Sequence, residues 1–114
     1  MIYKPYDVVV VPFPFSDSGQ TKKRPALVLS SSKKFGAKSG HSVLVMITSA
    51  RNDLWTLDVL IQDLSKAGLP KPSVVRMKFF TLDNNLIIET LGSLALKDRA
   101  AVRESFKNLF EELV

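Results

Sequence analysis

Three polar side chains stand out for where they sit: Arg24 opens an apolar run, and Thr48 and Ser49 close another. A guanidinium presents a fixed fork of donors, stays ionised, and suits two oxygens of one phosphate group. Hydroxyls at a strand end can donate to a phosphate oxygen or hold the reacting group in line. A surface arginine and ordinary strand-end hydrogen bonding would use the same residue types, so the surroundings must decide. Those surroundings are basic. From Ser18 to Asn52 there is no Asp or Glu, yet the stretch holds Lys22, Lys23, Arg24, Lys33, Lys34, Lys38 and Arg51. These seven charges exceed the net +5 of the whole chain, so the remainder is slightly acidic. Dispersed lysines serve solubility, whereas concentration in two loops close in sequence favours a surface for a polyanion.

Lys22 and Lys23 fit a phosphate track, whose binding would weaken with salt. Phe13 and Phe15 are candidate stacking surfaces for bases. Phe15, deeper in its loop, is expected to be the exposed one, with the other plugging the end of the domain. Other chemistries are poorly supplied. With no cysteine and one histidine, His41, the chain lacks thiolate nucleophiles, disulfides and any site needing two imidazoles. Asp53, Asp58, Asp63, Asp83 and Glu89 are scattered singly, so neither a metal nor another cofactor is expected. His41 reads as a surface residue, and Trp55 as an anchor of the core or of a dimer contact.

The elements that must position these groups are short. The 114 residues suit one domain, 1–114, and 46% hydrophobic with 24% charged residues is ordinary for a folded protein. Tyr6–Pro12, Arg24–Ser30, Val43–Ser49, Thr56–Gln62, Ser73–Phe80 and Leu86–Glu89 read as strands from β-branched content and bounding turn residues. Phe13–Lys23 and Lys33–Ser42 read as loops, and Thr81–Asn85 as a tight turn. Ala101–Val114 reads as a helix whose stripe of Val102, Phe106, Leu109, Phe110 and Leu113 faces the core. The pattern predicts an α+β domain, mainly antiparallel, with a curled sheet or barrel and a C-terminal helix. The longest apolar stretch, Val8–Phe15, is broken by two prolines and far shorter than the ~20 residues of a membrane span. No secretory signal is visible, so a cytoplasmic location with no membrane association is expected.

Several stretches in order resemble one known family. Tyr6–Asp17, a short basic loop, Lys23-Arg24-Pro25-Ala26-Leu27-Val28-Leu29-Ser30, then Val45–Ser49, Ser73–Arg76, Thr81–Asp83 and Leu91–Leu94 are similar to the MazF/PemK toxin endoribonucleases, the mRNA interferases of toxin–antitoxin pairs. The resemblance spans essentially the whole chain. It implies an SH3-like barrel of the MazF/Kid/CcdB type working as a homodimer. It also implies metal-independent cleavage of single-stranded RNA at short sequence motifs, giving 2′,3′-cyclic phosphate and 5′-hydroxyl ends, and a cognate antitoxin whose flexible tail blocks the RNA groove.

Residue by residue, the resemblance implies that Arg24 and Thr48 are the catalytic pair, with Ser49 a phosphate contact. Arg76 matches the arginine of a Val-Arg pair that some members follow with an aspartate. Here Met77-Lys78-Phe79-Phe80 follows, without a carboxylate, which leaves Lys78 as a proton donor or phosphate clamp and puts cleavage mechanism and sequence preference in doubt. The long first loop carries Asp17 and Gln20 where several relatives have a glutamate. The competing expectation is a non-catalytic binding module on the same fold, either a topoisomerase poison of the CcdB type or a silent RNA binder.

Overall fold

Four consecutive valines, Val8 to Val11, form the middle of the first strand, and three of them are fully buried. Such a run cannot belong to a sheet wetted on one face, because alternate side chains point to opposite sides. The computed structural model describes residues 2–14, 21–51 and 53–113, and it shows where the two sides go. Val8, Leu27, Val45, Ile47 and Val75 pack into one core beneath the helices, with Leu94 and Val102. Val9, Val11, Ala26, Val28 and Leu44 pack into a second core on the opposite face, closed by Tyr3, Leu82 and Ile87. The sheet is therefore curled, a half-barrel with apolar packing on each side.

Its strands are β1 (Asp7–Phe13), β2 (Lys22–Val28), β3 (His41–Ser49), β4 (Val59–Leu60), β5 (Ser73–Asp83) and β6 (Glu89–Ser93). They lie in the order β4-β5-β3-β2-β1-β6, every pair antiparallel. The helices are α1 (Ala37–Ser39), α2 (Leu64–Ala67) and α3 (Leu96–Leu109). α2 meets β6 backbone to backbone: a Cβ on Gly68 would lie 2.2 Å from the Leu91 carbonyl oxygen, and one on Gly92 2.4 Å from that of Lys66. No helix among the described residues is long and apolar enough to cross a membrane.

The antiparallel α+β architecture with its C-terminal helix matches the expectation, and several boundaries shift. β2 begins at Lys22 rather than Arg24, so Lys22 and Lys23 belong to a strand and not to the loop. Of Thr56–Gln62 only Val59 and Leu60 pair in the sheet. β5 runs on to Asp83, whose carboxylate accepts the Asn85 N–H at 2.8 Å and starts a 3₁₀ turn, Asn84–Leu86. β6 accordingly starts at Glu89. The polar loop 33–42 contains a π-helical turn, Ser32–Gly36, capped by the Ser31 hydroxyl, followed by α1.

Two differences bear on function. The basic loops adjacent in sequence are not adjacent in space. Lys22–Arg24 open β2 and Lys33–Lys38 follow its end, so the seven-residue strand separates them by roughly 20 Å. The helical stripe does not all face the core either. α3 starts at Leu96, and Val102 is buried at 1% exposure, but Phe106, Leu109 and Leu113 are 36%, 40% and 78% exposed. The helix is docked through Asp98, Val102 and Ser105, and its C-terminal aromatics pack edge-on against Phe79 of β5 while leaving part of their surface open.

Asp98 explains that docking. Buried at 1% exposure, it does not cap its own helix; its two carboxylate oxygens accept the Gln62 and Asp63 N–H groups, each at 3.0 Å. Removing the carboxylate strands both donors, and unsatisfied donors cost about 1–3 kcal/mol. We therefore expect Asp98→Ala to lower the urea midpoint by that equivalent with an unchanged m-value, and Asp98→Asn, which keeps one acceptor, to lose less.

Candidate active site

The β2–β3 ladder pairs Ala26 with Met46, and continuing that register by two residues sets Arg24 opposite Thr48. On the other side of β3, Met46 pairs with Arg76 of β5. Because side chains repeat with period two, Arg24, Met46, Thr48 and Arg76 all point to one face of the sheet. An irregularity between Val45 and Met46 lets β5 run two residues ahead there, which brings Lys78 to the same edge. The result is a cleft of about 230 Å³ lined by Arg24, Thr48, Arg76 and Lys78 over an apolar floor of Phe13 and Met46.

The cationic groups in the cleft differ in freedom. The Arg24 guanidinium lies 5.9 Å over the Phe13 ring. Among the described residues it has no carboxylate within ion-pair distance, and it is exposed. Lys78 is likewise exposed. Arg76 is engaged through two of its nitrogens: Nε and Nη2 donate to the two Asp58 carboxylate oxygens at 3.2 and 2.9 Å, and Nη2 also donates to the Asp53 carbonyl at 2.7 Å. Its guanidinium stands 4.5 Å from the centre of the Trp55 ring. Arg76 thus brings positive charge to the cleft while its donors fasten the 53–58 loop.

Asp58 completes that fastening. It lies opposite Arg76 because Val59 pairs with Val75, and it also accepts the Trp55 N–H at 2.8 Å. Burial alone would push its carboxyl up; the Arg76 hydrogen bond, the Trp55 N–H and the Arg76 charge together outweigh that and hold it below the ordinary carboxylate value. The hydrogen bond to Asp58 and that carboxylate's charge outweigh burial to push Arg76 up. Leu57 sits at φ +75°, a left-handed conformation that L side chains rarely adopt, and its carbonyl accepts the Ser105 hydroxyl at 2.6 Å. The loop is overdetermined by these bonds and is a preformed wall beside the cleft.

The other sequence-derived candidates fall elsewhere. Ser49 is one residue out of phase with Thr48, and its hydroxyl accepts the Arg51 N–H at 3.2 Å. Lys22 shares the face of Arg24, whereas Lys23 points the other way, into a second depression that Arg24 also borders, with Val10 and Glu89. Phe15, with Asp17 and Gln20, lies outside the described residues. Phe13, one of the two candidate stacking rings and the one expected to plug the end of the domain, is 37% exposed and supplies the aromatic floor of the cleft. Trp55 is 49% exposed and so is no part of the core. His41 opens β3, with its Nδ1 2.9 Å from the Ser39 carbonyl. The Asp58 partnership was missed because an alternating strand pattern hides which polar residue of the strand faces a cation. Among the described residues, no three His, Asp or Glu side chains converge as a metal site would need.

The lowered Asp58 carboxyl has a signed consequence. Its contribution is complete above the unfolded carboxylate value of about 4 and is lost as pH falls through the lowered folded value. Trp55 is the only tryptophan, so its emission reports the loop. We expect emission constant from pH 7 to about 5, shifting only in stronger acid. Asp58→Asn should show the acid-type emission already at pH 7.

This architecture is shared with solved structures. The chain superposes on the MazE–MazF complex (Form-III) from Deinococcus radiodurans with a TM-score of 0.75 at 21% identity, covering 97% of this chain and 98% of that one. Against the Mycobacterium tuberculosis toxin MazF-mt6 the TM-score is 0.72 at 21% identity, with 92% and 96% covered. An endoribonuclease from a mycobacterial species in complex with its cognate antitoxin gives 0.72 at 14% identity, with 96% and 94% covered. At these identities the likeness establishes the fold. Among curated proteins, none matches the sequence. The family comparison extends further, since residues 4–110 match a single family model. Fold and family match coincide over nearly the whole chain, which therefore belongs to the PemK-like, MazF-like toxins of type II toxin–antitoxin systems.

Proposed function

We propose that this toxin is a metal-independent endoribonuclease that cuts single-stranded RNA, mRNA in the cytoplasm, at the cleft between Arg24 and Thr48. One observation carries the reading. A guanidinium without an acidic partner among the described residues shares a small cleft with a strand-end hydroxyl and a lysine, the donor set that a phosphodiester in reaction requires. In the reaction the RNA 2′-oxygen attacks the adjacent phosphorus, the bond to the 5′-oxygen breaks, and 2′,3′-cyclic phosphate and 5′-hydroxyl ends result. Charge builds on the non-bridging oxygens, and preorganised donors at such a point are usually the largest catalytic contribution. Arg24 holds those oxygens, Thr48 donates to one of them, and Lys78 delivers the proton to the leaving 5′-oxygen or clamps a neighbouring phosphate. Arg76, held by Asp58, adds to the positive field. No carboxylate lines the cleft among the described residues, and Asp17, the first loop's only carboxylate in the sequence, is the candidate for accepting the 2′-proton.

Two partners go with this reading. Solved structures of this fold include a toxin in complex with its cognate antitoxin, and for this chain an antitoxin with acidic and apolar side chains would complement the basic cleft. A second copy of the chain would cover the aromatic end of α3. There Phe79, Phe106 and Phe110 form an edge-on cluster, with centroid separations of 4.9 to 6.2 Å, flanked by grooves of about 620 and 590 Å³. An apolar face of this kind suits a like surface better than a polyanion.

Incubating single-stranded RNA with the protein in EDTA should yield fragments with 5′-hydroxyl ends. Arg24→Ala should lower kcat/KM about 10²- to 10³-fold, the range for losing one preorganised donor, with folding and association unchanged. Cutting by Arg24→Ala at the wild-type rate would show the site assignment to be wrong. Intact RNA alongside measurable affinity would favour the non-catalytic binder. Phe106→Glu should convert a dimer to a folded monomer in light scattering; an unchanged mass would remove this face from the interface.

A further inference from the structure

Trp55 is a large, rigid aromatic left half exposed on a loop that has otherwise been fixed with unusual thoroughness. Its ring is 49% exposed, yet its N–H is bound to Asp58, its carbonyl accepts the Asp58 N–H at 3.1 Å, and Asp53 two residues earlier is held by Arg76. One side of the ring carries the Arg76 guanidinium at 4.5 Å, and that same guanidinium lines the cleft with Arg24 and Thr48. An exposed tryptophan that only filled space would not need a preformed mount. A mount that holds an aromatic plane against Arg76, at the edge of a cationic cleft, is what a base needs: phosphate on the cation, base on the ring.

We propose that Trp55 is the stacking platform for a nucleobase flanking the scissile phosphate. This inference rests on the ribonuclease reading above and adds to it a binding residue outside the Arg24–Thr48 pair. The direction of the charge argues for nucleic acid over a protein partner at this spot, since Arg24, Arg76 and Lys78 all border the approach. Stacking on a ring is available to every base, so the platform contributes affinity without choosing sequence. It acts equally in the ground and transition states and therefore belongs in KM.

The single tryptophan makes the test direct. A single-stranded oligonucleotide carrying 2′-deoxyribose throughout, and so unable to react, should quench Trp55 emission on binding. In EDTA cleavage assays, Trp55→Ala should raise KM about 10- to 100-fold, the range for one lost base stack, with kcat within about twofold. Trp55→Phe should restore most of the affinity. The penalty of Trp55→Ala should vanish on substrates trimmed from one end past the stacked nucleotide. Wild-type KM for Trp55→Ala at every substrate length, or quenching by an acidic antitoxin peptide but not by the oligonucleotide, would overturn the platform. Failure of wild-type protein to cut any RNA would instead overturn the ribonuclease reading.

Discussion

Side-chain alternation along three neighbouring antiparallel strands governs which groups in this toxin can meet. Met46 in β3 pairs with Ala26 of β2 on one side and Arg76 of β5 on the other, so Arg24, Thr48 and Arg76 inherit the same face. A slip of one residue in either ladder would turn one member of the set to the far side, because strand side chains repeat every two residues. The two cores hold that register from both sides. Val45 and Ile47 are committed to the helix-covered core and Leu44 to the other. Neither set can move without bringing buried hydrocarbon to water.

On that frame the basic groups divide into those that are free and those that build. Arg76 has an acidic partner in the 53–58 loop, a carbonyl and an aromatic face, and its side chain is only 12% exposed. Arg24 has only the Phe13 ring among the described residues and is exposed. A guanidinium already satisfied by a carboxylate is poorly placed to bind an incoming phosphate bidentately, whereas one without such a partner is ready to. The toxin thus uses chemically identical side chains for two different tasks, and the difference lies in the register that places Asp58 across from Arg76. The cleft is left with exposed positive charge on one side and a closely bonded loop on the other.

The far end of α3 obeys a different logic. A helix clamped by Asp98 and Val102, whose later aromatic rings pack only partly against Phe79 of β5, leaves apolar surface that a lone chain does not cover. Glycines at 68 and 92 allow α2 to lie against β6, which closes the remaining side of the helix-covered core.

Much of this was legible in the residues themselves. Runs of β-branched side chains, turn residues and a terminal amphipathic stretch define an antiparallel α+β domain, local properties carried by propensity and period. Resemblance to the MazF/PemK family, through the Arg-Pro and Ile-Thr motifs, marked the two groups that share the cleft. What the residues could not disclose depended on neighbours distant in sequence. Lys33, Lys34 and Lys38 look continuous with Lys22–Arg24 along the chain, but a strand lies between them. Phe106 and Leu109 satisfy a helical period as core residues would, although how the helix packs on the sheet leaves them 36% and 40% exposed. Asp58 and Arg76 are 18 positions apart and meet only through the pairing of β4 with β5. Composition and pattern determined what kind of elements form and which groups could act. The tertiary structure alone decided which of them meet, because contacts between strands depend on register, and register is a property of the packed whole.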